Sequence, residues 1–233
     1  MTEFDPIFWT ALLKIIGVNI ILSGDNAVVI ALAARSLPEQ QQRKAIFWGS
    51  GAAILMRIVL TVFAVALLEL PWLKLIGSVL LLWIGIKLLT DEGEGEGGVK
   101  SHDTLIAAIK TILIADLVMS VDNVIAVAAA AKSNTLLLII GLGISIPLII
   151  YASTLLIKVM ERFPIVITIG AALIGWVAGE MAWNETVINS FTSQYPPWFE
   201  YLAALAGAVL VVAAGKWLAK KSAAESGPTP TIL

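Results

Sequence analysis

Residues 22–34 read LSGDNAVVIALAA, and residues 119–131 read MSVDNVIAVAAAA. Six of the thirteen positions are identical, among them Ser23/Ser120, Asp25/Asp122 and Asn26/Asn123, and the same offset of 97 pairs Asn19 with Asp116. Both phrases lie inside apolar runs of the length that crosses a bilayer, which takes ~20 residues of helix. A carboxylate at such depth costs from a few kcal/mol to ~10 or more. Two of them in matching places point to a shared task.

The rest of the chain has the same solvent preference. Of 233 residues, 59% are hydrophobic and 14% charged, and the mean hydropathy is +0.93. No soluble domain of this size needs so much apolar surface. The runs and their breaks predict an all-α polytopic membrane protein with seven transmembrane helices, near 8–34, 44–69, 71–90, 104–131, 134–158, 164–182 and 199–219. The first run reads as a retained span, because it lacks a basic leader and carries Asn19, Ser23 and Asp25 where a cleavable signal would be uniformly apolar. Cysteine is absent, which removes disulfides, thiolate metal sites and thiol redox chemistry. The one histidine, His102, stands in a polar loop.

Basic residues alternate between connections. Arg35, Arg43 and Lys44 follow the first helix, Lys87, Lys100 and Lys110 surround the third connection, Lys158 and Arg162 the fifth, and Lys216, Lys220 and Lys221 the C-terminus. The N-terminus and the connection 183–198 are poor in them. The positive-inside rule then places the N-terminus outside and the C-terminus in the cytoplasm of a bacterial-type inner membrane. Trp183, Tyr195 and Trp198 fit an outer aromatic belt, and Trp48 and Trp217 an inner one.

The twin phrase is part of a longer repeat. GSGAAI (49–54) matches GLGISI (141–146), and PWLKLIGSVLLLW (71–83) matches PIVITIGAALIGW (164–176). The offsets, 97, 92 and 93, differ only by small changes in loops. Three helices per unit is an odd number, so the units enter the membrane from opposite sides: a 3+3 inverted-topology repeat plus one C-terminal helix, a frequent plan of secondary transporters. The organisation reads as a first repeat (1–90), an acidic Gly/Glu cytoplasmic linker (91–103), a second repeat (104–182), an extracytoplasmic loop (183–198), a seventh helix (199–221) and a disordered tail (222–233).

The polar residues of the two phrases form the candidate site. Positions 19, 23 and 26 share a stripe of an ideal helix, as do 116, 120 and 123. Asp25 and Asp122 lie about 100–120° off those stripes, so either they face another neighbour or the helices break there, more mildly in the second copy, where Val121 replaces Gly24. Asp25, Asp122, Asp116, Asn19, Asn26 and Asn123 offer hard oxygen ligands, suited to Mg²⁺, Ca²⁺ or Mn²⁺. Ser23 and Ser120 are pathway residues or helix-to-helix hydrogen-bond donors. Arg57, deep in the second helix, is expected to pair with one of the three aspartates, and its repeat counterpart is the apolar Ile149. Glu180 is either a gate or an interfacial residue.

These phrases, in a seven-helix chain, resemble the TerC family of integral membrane proteins, its YjbE-like branch, within the LysE superfamily of exporters. The resemblance covers helices one to six. It implies export of a divalent cation, chiefly Mn²⁺, with Asp25, Asp116 and Asp122 matching the family's acidic residues. With no phosphate-binding GxxxxGK[ST] motif, the transport expected is metal/proton antiport through the aspartates. The implied partners are the lipid bilayer, the metal ion and protons. No resident cofactor and no nucleic acid is expected, and homo-oligomerisation is left open. The alternatives are an exporter of amino acids or other organic cations, and a non-transporting membrane assembly factor. Without HExxH, GxSxG or a histidine at depth, an intramembrane enzyme is disfavoured.

Overall fold

The computed structural model describes residues 9, 10, 12–14, 16, 17, 24–63, 70–90, 101–131 and 135–225, with side chains described except at 62, 101–104, 122–131, 135–138, 141, 223 and 225. Its helices are α1 (Gly24–Ala34), α2 (Glu39–Val62), α3 (Leu73–Thr90), α4 (Ser101–Ala131), α5 (Thr135–Arg162), α6 (Ile165–Trp183) and α7 (Phe199–Glu225). A 3-10 turn, Thr186–Ile188, and a short helical turn, Asn189–Thr192, join α6 to α7. Among the described residues, five helices are long and apolar enough to cross a membrane: Glu39–Thr61, Leu73–Thr90, Leu142–Arg162, Ile165–Trp183 and Phe199–Ser222. Within the first expected span, residues 8, 11, 15 and 18–23 lie outside the description. Most of the acidic linker does too.

Helix ends follow local chemistry. Pro38, which has no N–H to lose, precedes α2 and lets it begin at Glu39, ahead of the expected start at 44. α4 opens at Ser101, inside the segment read as linker. α7 runs on through Ala and Lys, good helix formers, to Glu225, so the first residues of the segment read as a disordered tail are helical. Pro71 and Pro164, matching positions of the two repeats, stand just before α3 and α6. Trp72, after Pro71, has a φ of 68°, left-handed for a bulky residue.

The bundle is apolar inside and outside. On α3, Ile76, Val79, Leu80 and Trp83 are exposed while Gly77, Leu81, Ile84, Gly85 and Leu88 are buried. With apolar lipid on one side and apolar protein on the other, close packing of small residues decides which face turns inward. A Cβ on Gly77 would stand 2.7 Å from Val118 of α4 and 2.7 Å from Met181 of α6, and one on Gly170 would stand 2.8 Å from Val28 of α1. α6 and α7 touch backbone to backbone, Gly175 and Gly179 against Gly207 and Ala203.

These contacts also give direction. Gly77 meets Met181 and Gly85 meets Ile174, so α3 and α6 are antiparallel. Gly175 meets Gly207 and Gly179 meets Ala203, so α6 and α7 are antiparallel too. α3 runs parallel to α7, with Gly85 on Val211 and Leu89 on Gly215. α2 runs parallel to α4, with Gly49 on Ile112 and Arg57 on Asp116 and Ser120. α1 packs on α2, α4, α5 and α6, while α2 also packs on α5, and α4 on α3 and α5. α7 touches α6 and α3 and leaves Tyr201, Leu205, Val209 and Trp217 exposed.

At one end, Arg35 Nη2 donates to the Leu88 carbonyl at 2.9 Å, closing the end of α3. Lys87 and Lys221 lie over Trp83 and Trp217 there. At the other end Trp183, Tyr195 and Phe199 gather, with ring centroids 4.9–6.1 Å apart. There too Glu185, 1% exposed, accepts the Leu75 N–H at 3.0 Å, the Thr186 hydroxyl at 2.8 Å and the Val187 N–H at 3.3 Å. It thereby supplies a missing acceptor to the first turn of α3.

Two outcomes follow from this packing. A Cβ at Gly207 would run into the Gly175 carbonyl, whereas one at Gly215 meets only the Leu89 side chain at 2.8 Å. Gly207→Ala should therefore lower the melting temperature in detergent more than Gly215→Ala does, by the ~1–3 kcal/mol of an overpacked contact; equal melting would refute the backbone contact. For Glu185, burial raises the carboxyl pKa, but hydrogen bonds from Thr186 and the Leu75, Val187 and Lys74 N–H groups outweigh it and hold it below the usual 4.5. A depressed folded pKa stabilises above the unfolded pKa and loses that stabilisation as pH falls through the folded value. Glu185→Gln should thus lower stability by about 1–2 kcal/mol near neutral pH, and the gap to the unaltered protein should close on acidification below the usual carboxyl range.

Candidate functional site

The buried polar group centres on Arg57. It lies on α2 at 1% exposure, with Asp116 at 6% and Ser120 at 0% on α4. Arg57 Nη2 lies 2.5 Å from Asp116 Oδ1. Arg57 Nε donates to Ser120 Oγ at 2.9 Å, and the Ser120 hydroxyl donates to Asp116 Oδ2 at 3.2 Å. Asp116 and Ser120 can serve one guanidinium because residues four apart share a helix face. Close approach of α2 and α4 at Gly49, where a Cβ would be 2.9 Å from Ile112 Cδ1, brings the two faces within reach. Among the described side chains, the aspartate that meets Arg57 is Asp116.

Asp25 opens α1 in its first turn. It is half-buried, and its Oδ1 accepts the Asn26 N–H at 2.8 Å. Among the described residues, Asn26, at 3% exposure, finds no hydrogen-bond partner for either atom of its amide. A buried amide left so costs ~1–3 kcal/mol, and such a group needs an explanation.

The remaining expected residues are spread differently. Asp122 and Asn123 belong to α4, but their side chains lie outside the described residues, as do Asn19 and Ser23 altogether. Glu180 is exposed near the end of α6. The expected mild helix break in the second copy is not there: α4 is continuous from Ser101 to Ala131. The reason is in its sequence, which has neither glycine nor proline over that range, the usual causes of a break. In the first copy α1 is described from Gly24, and residues 18–23 directly before it are outside the description. Among the described residues, no three acidic or histidine side chains lie together as a metal-holding group.

Two polar residues were not singled out in the sequence. Ser50, 1% exposed, has no partner for its hydroxyl. Thr61 donates to the Arg57 carbonyl at 2.8 Å. With Arg57 they fall at i, i+7 and i+11, one stripe of α2, and that periodicity was the available signal.

Comparison with known proteins agrees with this architecture. The family model described as "Integral membrane protein TerC family" matches residues 4–223. The uncharacterized membrane protein YjbE of Bacillus subtilis (strain 168) is 43% identical over 185 residues, 79% of this chain and 84% of its own. The uncharacterized membrane protein YceF of the same organism is 27% identical, covering 76% and 72%. The UPF0053 inner membrane protein YgdQ of Escherichia coli (strain K12) is 24% identical, covering 85% and 89%. No solved structure matches. With its apolar helices and a family match over nearly its whole length, the chain is an integral membrane protein of the TerC family.

Proposed function

We propose that the protein is a secondary transporter that carries a divalent cation, Mn²⁺ foremost, out of the cytoplasm in exchange for protons. The observation that carries this reading is the charged group inside the bundle: Arg57, Asp116 and Ser120 buried together, with the buried Asn26 amide unsatisfied on the neighbouring α1. Ionisable groups at membrane depth mark ion pathways and proton relays. A protein that only held helices together would need hydroxyls and small residues, not carboxylates. The cargo ligands in this reading are Asp25, Asp122, Asn19, Asn26 and Asn123, with Asp116 alongside; Ser23, Ser120 and Glu180 line the route. All are oxygen or amide groups, suited to a hard dication.

The packing supports an inverted repeat. Exchanging α1 with α4, α2 with α5 and α3 with α6 turns the α2–α4 contact into α5–α1, α3–α4 into α6–α1 and α1–α2 into α4–α5, and every one of these pairs packs. The contacts α1–α4, α2–α5 and α3–α6 map onto themselves and also occur. The antiparallel course of α3 and α6 fits an axis in the membrane plane. Helix directions and the Arg35–Leu88 bond gather Arg35, Lys87, Arg162 and Lys216–Lys221 at one end. That supports a cytoplasmic C-terminus and an outside N-terminus.

Two carboxylates that release one dication and take up two protons keep the site's charge unchanged. Moving a dication outward against ~100 mV, inside negative, costs ~4.6 kcal/mol, which the two inward protons offset. Because metal binding requires deprotonated ligands, each cargo exchange is linked to proton exchange at the same oxygens. In inside-out proteoliposomes of the pure protein, Mn²⁺ uptake should occur with release of protons from the lumen. Asp25→Asn and Asp122→Asn should each reduce uptake at least roughly tenfold. Unchanged rates in both would reject the site. Transport of basic amino acids without Mn²⁺ would favour an organic-cation exporter, and no transport at all an assembly factor.

A further inference from the structure

We propose that a groove between α5, α6 and α7 holds one acyl chain of an anionic phospholipid, with the lipid phosphate at Arg162. The site does not depend on which ion the protein carries.

α5 and α6 are joined by a tight turn at Phe163 and Pro164, yet they pack little on each other, because glycine contacts draw α6 to α3 and α7. The gap between them is a cavity of about 440 Å³. Val166 and Trp176 of α6 mark its two ends, Leu156 and Met160 of α5 form one wall, and Ala208 of α7 lies on the other. Its floor is Gly170, where even a Cβ would stand 2.8 Å from Val28 of α1, and its lining is apolar throughout. Ile169 and Leu173, which also line it, are exposed, so in a membrane it opens sideways onto lipid tails. An unfilled gap forfeits the dispersion contacts of its walls, and the apolar molecule at hand in that place is an acyl chain.

Length and charge single out the occupant. From Val166 to Trp176 the groove follows α6 for ~15 Å, at 1.5 Å per residue, which is half of the ~30 Å hydrocarbon core and so the depth of one leaflet. Its mouth is the Val166 end, beside the last turn of α5. Leu156, Met160 and Phe163 fall at i, i+4 and i+7 on one stripe of α5, so the wall of the groove continues into the exposed Phe163 ring. Arg162 belongs by sequence to another face, but its guanidinium carbon lies over that ring, 5.9 Å from the centroid, which brings the charge to the groove side. The residue is exposed, in reach of a phosphate, which a guanidinium grips by two parallel N–H bonds. Lys158 and Glu161 are exposed too, but the 3.6-residue period turns them to the opposite side of α5. The helix directions place this mouth at the end that holds Arg35 and Lys87, the side proposed above as cytoplasmic. Basic pockets between spans on that side suit anionic headgroups.

The test is lipid binding to the full chain in detergent, read by native mass spectrometry with dioleoyl-phosphatidylglycerol and dioleoyl-phosphatidylcholine, which have the same chains. Phosphatidylglycerol should bind at least about fivefold more tightly, the worth of one basic residue at an anionic surface. Arg162→Ala should abolish that preference and Arg162→Lys should keep it. Ala172→Trp, which fills the groove from its lining, should weaken both lipids at least about fivefold. Lys87→Ala, at the same end but on α3, should change neither. Quenching of Trp176 by phosphatidylglycerol brominated on its chains, measured as the part lost in Trp176→Phe, reads the same contact even if Ala172→Trp does not fold. Absence of that quenching overturns the proposal, and so does an unchanged affinity in Ala172→Trp. A preference that survives Arg162→Ala, or that falls equally in Lys87→Ala, also overturns it, because the attraction would then belong to the whole basic end. A dimer that Ala172→Trp dissociates and that lipid leaves unaffected would give the groove to a second copy of the chain and overturn it as well.

Discussion

A guanidinium cannot stand alone inside a bilayer-spanning bundle, and the arrangement of α2 against α4 follows from that constraint. Arg57 is 1% exposed, so its charge and its donors must be met by protein. Asp116 and Ser120 meet them from adjacent turns of one helix. This fixes both the rotation of α4 and its height relative to α2. Removing either partner of such a buried pair costs about 3–5 kcal/mol, far more than a slip of apolar faces against one another. In a bundle whose outside is as apolar as its inside, polar contacts of this kind set register where hydrophobicity is indifferent.

Glycine does the complementary work of distance. Gly49, Gly77 and Gly170 each occupy a crossing where a Cβ would approach a neighbouring side chain to 2.9 Å or less, and Gly175, Gly179 and Gly207 allow backbone contact. Gly77 and Gly170 are matching positions of the two repeats, and they meet α4 and α1, themselves matching helices. The same small residue thus does the same task twice, once in each unit. α7 stands outside this scheme and packs on α3 and, by the closest of these glycine contacts, on α6.

How much of this the sequence displays depends on the range of each interaction. Span position is local, since twenty apolar residues announce themselves, and α3, α6 and α7 start within a few residues of where hydropathy puts them. The match between the phrases 71–83 and 164–176 is visible because Pro71/Pro164 and the Ile-Gly pairs keep their spacing. The partner of Arg57 could be narrowed to three aspartates but no further, because helix rotation decides among them and an apolar helix carries little rotational signal. The mild break expected near Asp122 is absent because residues 101–131 contain neither glycine nor proline. Glu185 left no trace in the sequence at all. Its partner N–H is on Leu75, 110 positions away, and no periodicity links the two.

The uncharged solution to the same packing problem is present in the molecule. Ile149, 7% exposed, takes the position of Arg57 in the second unit, and a buried ion pair can often be replaced by apolar residues at no loss of stability. Packing therefore does not account for Arg57 and Asp116. What the pair adds is a buried couple of zero net charge fixed between α2 and α4. Its directional hydrogen bonds hold α2 and α4 in one register, which an apolar contact of the kind Ile149 makes does not require.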